Sequence, residues 1–139
     1  MSDLVVLALG GNAIKKSGES GTPEEQLHNV DITAKQIAAI TEAGYRVILT
    51  HGNGPQVGSL LIQQEAGKDL VPEQPLYGCG AMTQGHIGWM LQNRIRFRIR
   101  QKGLKVPVAT VITQVVVDPE DPDFRSPSKP VGPFYTKPQ

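Results

Sequence analysis

The chain predicts an open α/β domain of three layers, a mainly parallel sheet flanked by helices. Two observations carry this. The runs Val5–Leu9 and Val47–Thr50 are apolar or β-branched at almost every position, as strands buried on both faces of a parallel sheet are. Each feeds directly into a glycine–asparagine loop, and a helical pattern follows each loop. The order strand, loop, helix, strand, loop, helix requires right-handed crossovers and brings both loops to the carboxyl ends of their strands, the usual ligand-binding edge.

The elements follow in order. After Val5–Leu9 and the loop Gly10-Gly11-Asn12-Ala13, Thr22-Pro23-Glu24-Glu25 supplies an N-cap, a proline at the first helical position and a capping-box glutamate. Leu27, Val30, Ala34, Ile37, Ala38 and Thr41 then trace one helical face, which Gly44 ends. A strand over 46–50 leads into His51-Gly52-Asn53-Gly54-Pro55-Gln56-Val57-Gly58, and a short helix is expected from about Gln56 to Ala66, closed by Gly67. A longer helix is predicted from Tyr77 to about Lys102, with Ile87, Leu91, Ile95 and Ile99 at four-residue spacing. Residues 94–100 also alternate with a strand's period of two. Val106–Val117 is rich in β-branched residues and reads as one or two strands, with Pro107 near the start. From Asp118 the chain turns proline-rich and locally acidic, which reads as a loop rather than core.

Length and charge exclude several classes. A chain of 139 residues is long enough for one domain with a real core. Its 14 basic against 13 acidic residues leave a net charge of +1, so no overall field favours nucleic acid or an acidic membrane. The arginines at 94–100 read as a solvated helix face. The single Cys79 has no internal disulfide partner and reads as a small buried apolar group, and the N-terminus lacks the features of a signal peptide. A reduced, cytoplasmic setting fits, and no apolar run approaches the roughly 20 residues that span a bilayer.

The chemistry points to anionic oxygens. Glycines let successive backbone N–H groups converge, and the positive end of a following helix adds to their pull. Either loop alone also reads as a plain tight turn. Gly52, Gly54 and Gly58 approximate a dinucleotide fingerprint, but with G-x-G-x-x-x-G spacing, and neither loop has the G-x-x-x-x-G-K-[ST] of a P-loop. His51 adjoins the second loop, where it could donate to an oxyanion or simply cap the strand. Lys129 is followed by Pro130 and preceded, two residues back, by Pro127; a lysine on so stiff a segment loses less entropy on meeting an anion than Lys15, Lys16 or Lys68 would.

Four motifs together resemble carbamate kinase, within the amino-acid-kinase fold: Ala8-Leu9-Gly10-Gly11-Asn12-Ala13, Thr50–Gly58, Cys79-Gly80-Ala81-Met82-Thr83-Gln84-Gly85 and Lys129-Pro130-Val131-Gly132-Pro133-Phe134-Tyr135. The resemblance runs the length of the chain. It implies reversible phosphoryl transfer between ATP and carbamate, giving ADP and carbamoyl phosphate, with Mg²⁺ on the nucleotide, in a homodimer that makes ATP during arginine fermentation. Carried over by motif, Gly10, Gly11 and Asn12 would hold the transferring phosphoryl group, while Gly52, Asn53 and Gly54 would hold carbamate and the facing oxygens. Lys129 would reach in from a protruding subdomain to neutralise charge, with Asn12 and Gly11 as the other catalytic groups and no protein-held metal. Residues 1–117 would form the carbamate- and phosphoryl-binding domain, and 118–139 the start of the protruding subdomain.

Members of that family continue for about as many residues again, and that further half carries the nucleotide pocket, a second catalytic lysine and its organising aspartate. The expectation is that residues 1–139 alone bind ATP poorly, turn over little and leave sheet surface uncovered. Two rival readings remain: a dinucleotide-binding oxidoreductase domain using Gly52, Gly54 and Gly58, and a non-catalytic module docking on an intact kinase subunit.

Overall fold

A computed structural model describes residues 3–129 and 131. Two strands, β1 (Leu4–Leu9) and β2 (Arg46–His51), pair in parallel from Leu4 opposite Arg46 to Leu9 opposite His51. Between them runs helix α1 (Pro23–Glu42), and after β2 come α2 (Gly54–Gly67) and α3 (Leu76–Gln101).

The local signals in the sequence act as chemistry requires. Thr22 caps α1 by accepting from the Glu25 amide, and the Glu25 carboxylate accepts in return from the amide of Thr22 at 3.0 Å. Both long helices end in the same motif. Gly44 has φ 93° and Gly103 φ 74°, values that favour glycine. Their amides donate to Thr41 and Arg100, while the following amides of Tyr45 and Leu104 reach back to Ile40 and Ile99. The run at 94–100 is helical, and its period-two alternation leaves no trace in the backbone.

The core lies between one face of the sheet and the paired helices α1 and α3. Val30, Ala34, Ile37 and Ala38 of α1 meet Ile87, Met90, Leu91, Ile95 and Ile99 of α3, with Leu7, Leu9, Val47 and Leu49 packed beneath them. Across the top, the Arg98 guanidinium grips the Asp31 carboxylate with two donors, Nε to Oδ1 at 2.9 Å and Nη2 to Oδ2. That hydrogen bond, foremost, holds the Asp31 carboxyl below its ordinary range, and it raises Arg98 in turn.

Two sequence expectations are corrected. The strands are not covered on both faces among the described residues. Burial alternates along each, and Leu4, Val6 and Ile48 on the second face are about half exposed or more. An all-apolar strand signals what could be buried, and here helices cover only one side. The second correction is that Val106–Val117 forms no strand ladder. Its first half instead runs back along α3, antiparallel to it: the Gln92 side-chain amide donates to the Val108 carbonyl, Thr110 Oγ1 donates to the Gly88 carbonyl, and the Thr113 amide donates to Gln84 Oε1. β-Branched composition expresses itself as an extended backbone, and a ladder needs a neighbouring strand. The proline-rich segment is a loop as expected, with one 3-10 turn at Pro122–Phe124.

Candidate functional site

Because β1 and β2 are parallel and in register, both glycine loops leave the sheet at the same end. The amide of Gly52 donates to the Leu9 carbonyl at 3.3 Å, so the two loops are joined at their bases. The first loop closes at once into a 3-10 turn over Gly11–Ala13, whose hydrogen bonds come from the amides of Ala13, Ile14 and Lys15; those of Gly11 and Asn12 take no part in it. The second loop passes into α2 at Gly54, and Pro55 in its first turn brings no N–H. Helix α2 thus begins two residues earlier than the sequence suggested, with Gly58 buried inside it rather than in the turn. Of the dinucleotide-like glycines, only Gly52 lies in the loop.

The glycines are not there for a left-handed backbone. The glycines with positive φ are Gly18, Gly21, Gly44 and Gly103; Gly10, Gly11, Gly52 and Gly54 are not among them. Nor are these four there to admit a packed neighbour, since a Cβ added at any of them would meet nothing within 4 Å. The absent Cβ atoms leave open space beside the main chain of both loops.

Side chains fasten this edge from below. Buried Asn29 on α1 donates through Nδ2 to the Ile14 carbonyl at 3.3 Å and to Glu19 Oε2 at 2.7 Å, pinning the stretch that follows the first loop. The Glu19 carboxyl is lowered, first by the Lys16 amide that also donates to it. Gln56 on α2 donates to Gln26 Oε1, and Gln26 Nε2 donates to the Gly21 carbonyl at the foot of α1. The Asn53 side chain does not cap α2. Its Nδ2 instead donates to Thr83 Oγ1 at 2.9 Å and, at 3.5 Å, towards the Gly80 carbonyl, both on α3. Asn29 and Gln26 escaped the sequence reading, their one signal being a polar residue on a helical face otherwise built for the core; Thr83 was quoted there within the Cys79–Gly85 motif but given no role.

The remaining candidates are not all brought to this edge. His51 Nδ1 lies 3.2 Å from the Gly52 carbonyl, the local contact of a strand end. Cys79 is fully buried, as a small apolar group would be. Lys129 is exposed, in the loop beyond the 3-10 turn. Of its motif, Pro130 and residues 132–135 lie outside the described residues. Among the described residues no three His, Cys, Asp or Glu gather to hold a metal, and no helix is long and apolar enough to cross a membrane.

Residues 3–121 match the amino acid kinase family. This chain belongs to that family. Carbamate kinase of Pyrococcus horikoshii is 52% identical over 137 residues, covering 97% of this chain and 44% of that protein. Carbamate kinase of Thermococcus kodakarensis is 54% identical over 134 residues, covering 94% and 42%. Among solved structures, carbamate kinase from Giardia lamblia bound to AMP-PNP superposes with a TM-score of 0.92 at 45% identity, over 98% of this chain and 43% of that one. The chain therefore spans less than half the length of the curated relatives it matches. As a member of the amino acid kinase family it shares their fold over nearly all its residues, and nothing in these likenesses supports an oxidoreductase.

Proposed function

We propose that this chain forms the carbamate- and phosphoryl-binding part of a carbamate kinase, catalysing ATP plus carbamate ⇌ ADP plus carbamoyl phosphate. The observation that carries this is the pair of glycine loops at one end of a parallel strand pair, with open space over Gly10, Gly11, Gly52 and Gly54. The relatives' names and the AMP-PNP bound to the Giardia enzyme support the same reading.

In this reading Gly10, Gly11 and Asn12 seat the transferring phosphoryl group with their amides, and Gly52, Asn53 and Gly54 seat carbamate beside it. A terminal oxygen of ADP attacks the phosphorus, the bond from phosphorus to the carbamate oxygen breaks, and carbamate leaves with the electron pair. Positioned donors suffice for such a transfer, because its transition state calls for alignment and charge stabilisation rather than a covalent catalyst. Lys129, on the subdomain that begins in 118–139 beyond the substrate domain of 1–117, closes over the site to neutralise phosphoryl charge. Mg²⁺ would travel on the nucleotide. ATP or ADP is the nucleotide, a homodimer the assembly and the reduced cytoplasm the setting.

A chimera tests this. Residues 1–131 of this chain, joined to the remainder of the Pyrococcus horikoshii relative, should form ATP from ADP and carbamoyl phosphate. A chimera that folds yet shows no turnover would contradict the proposal. Residues 1–139 alone should show little or none.

A further inference from the structure

We propose that Thr83 is a positioning residue that sets the substrate preference of the second glycine loop by fixing which end of the Asn53 amide is left for the ligand. This rests on the reading of the loops as the carbamate seat. An amide side chain has two ends of opposite character, a donor and an acceptor, and at such a site its orientation decides what it can recognise. The hydrogen-bond pattern settles that orientation. Thr83 Oγ1 donates its single proton to the Gly80 carbonyl at 2.9 Å, so towards Asn53 it can only accept. The Gly80 carbonyl, 3.5 Å from the same Asn53 atom, can also only accept. The Asn53 atom turned to α3 is therefore the NH₂, which leaves Oδ1 as the end turned away from α3.

Thr83 is 4% exposed, and the Gly80–Thr83 bond lies within one turn of α3, so the lock sits on the rigid side of the contact. An acceptor turned away from α3, on the residue between Gly52 and the start of α2, suits a ligand that carries an N–H. Carbamoyl phosphate and acetyl phosphate share the acyl phosphate and differ only in NH₂ against CH₃. A carbonyl oxygen held ready for the NH₂ is left unpaired by the methyl group, and sites of that kind reject the analogue lacking the donor. This assigns a task to the Cys79–Gly85 motif, which otherwise contributes no group to the site.

The test is the affinity ratio of the two acyl phosphates for residues 1–139, by NMR titration of the loop amides, in the unmodified chain and in Thr83→Val and Thr83→Ser. The unmodified chain should bind carbamoyl phosphate roughly tenfold more tightly than acetyl phosphate, the worth of about one hydrogen bond. Thr83→Val should lower that ratio, because the nearer of the two acceptors that fix the amide is lost, while Thr83→Ser should keep it. Should Thr83→Val fail to fold, Thr83→Ala carries the same comparison. A helix-packing role for Thr83 would shift the melting temperature and weaken both ligands alike. Equal affinities in the unmodified chain, or a ratio that survives loss of the hydroxyl, would overturn the proposal and leave the phosphoryl seat standing. Failure of both ligands to bind would overturn the seat as well.

Discussion

At Gly88 an added methyl group would lie 2.2 Å from Thr110 Cγ2, whereas at Gly10, Gly11, Gly52 and Gly54 it would meet nothing within 4 Å. The two settings use the missing Cβ in opposite ways. On α3 the glycine lets the 108–113 segment cross the helix at close range, with Thr110 Oγ1 donating to the Gly88 carbonyl. At the carboxyl ends of the strands the glycines leave open space at the mouth of two joined loops, where the Gly52 amide is taken up by the Leu9 carbonyl. Other glycines also face open space, Gly67 and Gly80 among them. What sets the loop glycines apart is that two pairs lie at one end of one parallel ladder, the second pair entering a helix. A glycine's role is thus read from what surrounds its absent side chain, which the sequence does not show.

The comparison can be broken by substitutions that separate binding from stability. The largest effect is expected at Lys129: in the chimera, Lys129→Ala should lower turnover on the order of a hundredfold while nucleotide affinity changes little, since its charge matters most as phosphoryl charge develops. Equal losses in both would assign Lys129 to nucleotide binding. Next comes Gly88→Ala, where overpacking costs about 1–3 kcal/mol and should exceed the up to ~1 kcal/mol that alanine gains in a helix. Chemical denaturation should show this loss, and an unchanged midpoint would mean that the crossing is slack. Gly11→Ala should do the reverse, leaving the denaturation midpoint unmoved and weakening carbamoyl phosphate binding by about tenfold, or ~1.4 kcal/mol. A Gly11→Ala variant that unfolds while still binding would invert the account.

The smallest effect concerns pH, and the ion pair that joins the two helices serves as a control remote from both settings. The Asp31 carboxyl is depressed in the folded state, chiefly by its hydrogen bond to Arg98. Its contribution is therefore complete above the unfolded carboxyl value near ~3.9 and is lost as pH falls through the lower folded value. Asp31→Asn should lower the melting temperature by no more than about a few degrees at neutral pH, and the gap should close in acid. A gap that stays constant with pH would place the effect in packing instead of charge. Loop binding should be unaffected at neutral pH.

How much was legible in the sequence depended on how local the physics was. The capping box at Thr22 and Glu25, the glycine stops at 44 and 103 and the four-residue stripe of α3 are decided within a few residues, and the structure follows them. Pairing is not local. Val106–Val117 has the composition of a strand, yet among the described residues no strand pairs with it, and its tie points are glutamines and a glycine on α3 that no strand pattern marks. The same holds at the candidate site. The glycine loops announced themselves, but the hold that Asn29 and Thr83 exert on them joins residues 15 and 30 positions apart, which periodicity cannot reveal.

The central claim, that the two loops form one seat, is tested most directly by adding carbamoyl phosphate to isotope-labelled residues 1–139 and following the backbone amides. The account predicts that the amides of Gly10, Gly11 and Asn12 and those of Gly52, Asn53 and Gly54 shift together and saturate with a single dissociation constant. Shifts confined to one loop, or two loops saturating at different concentrations, would contradict it.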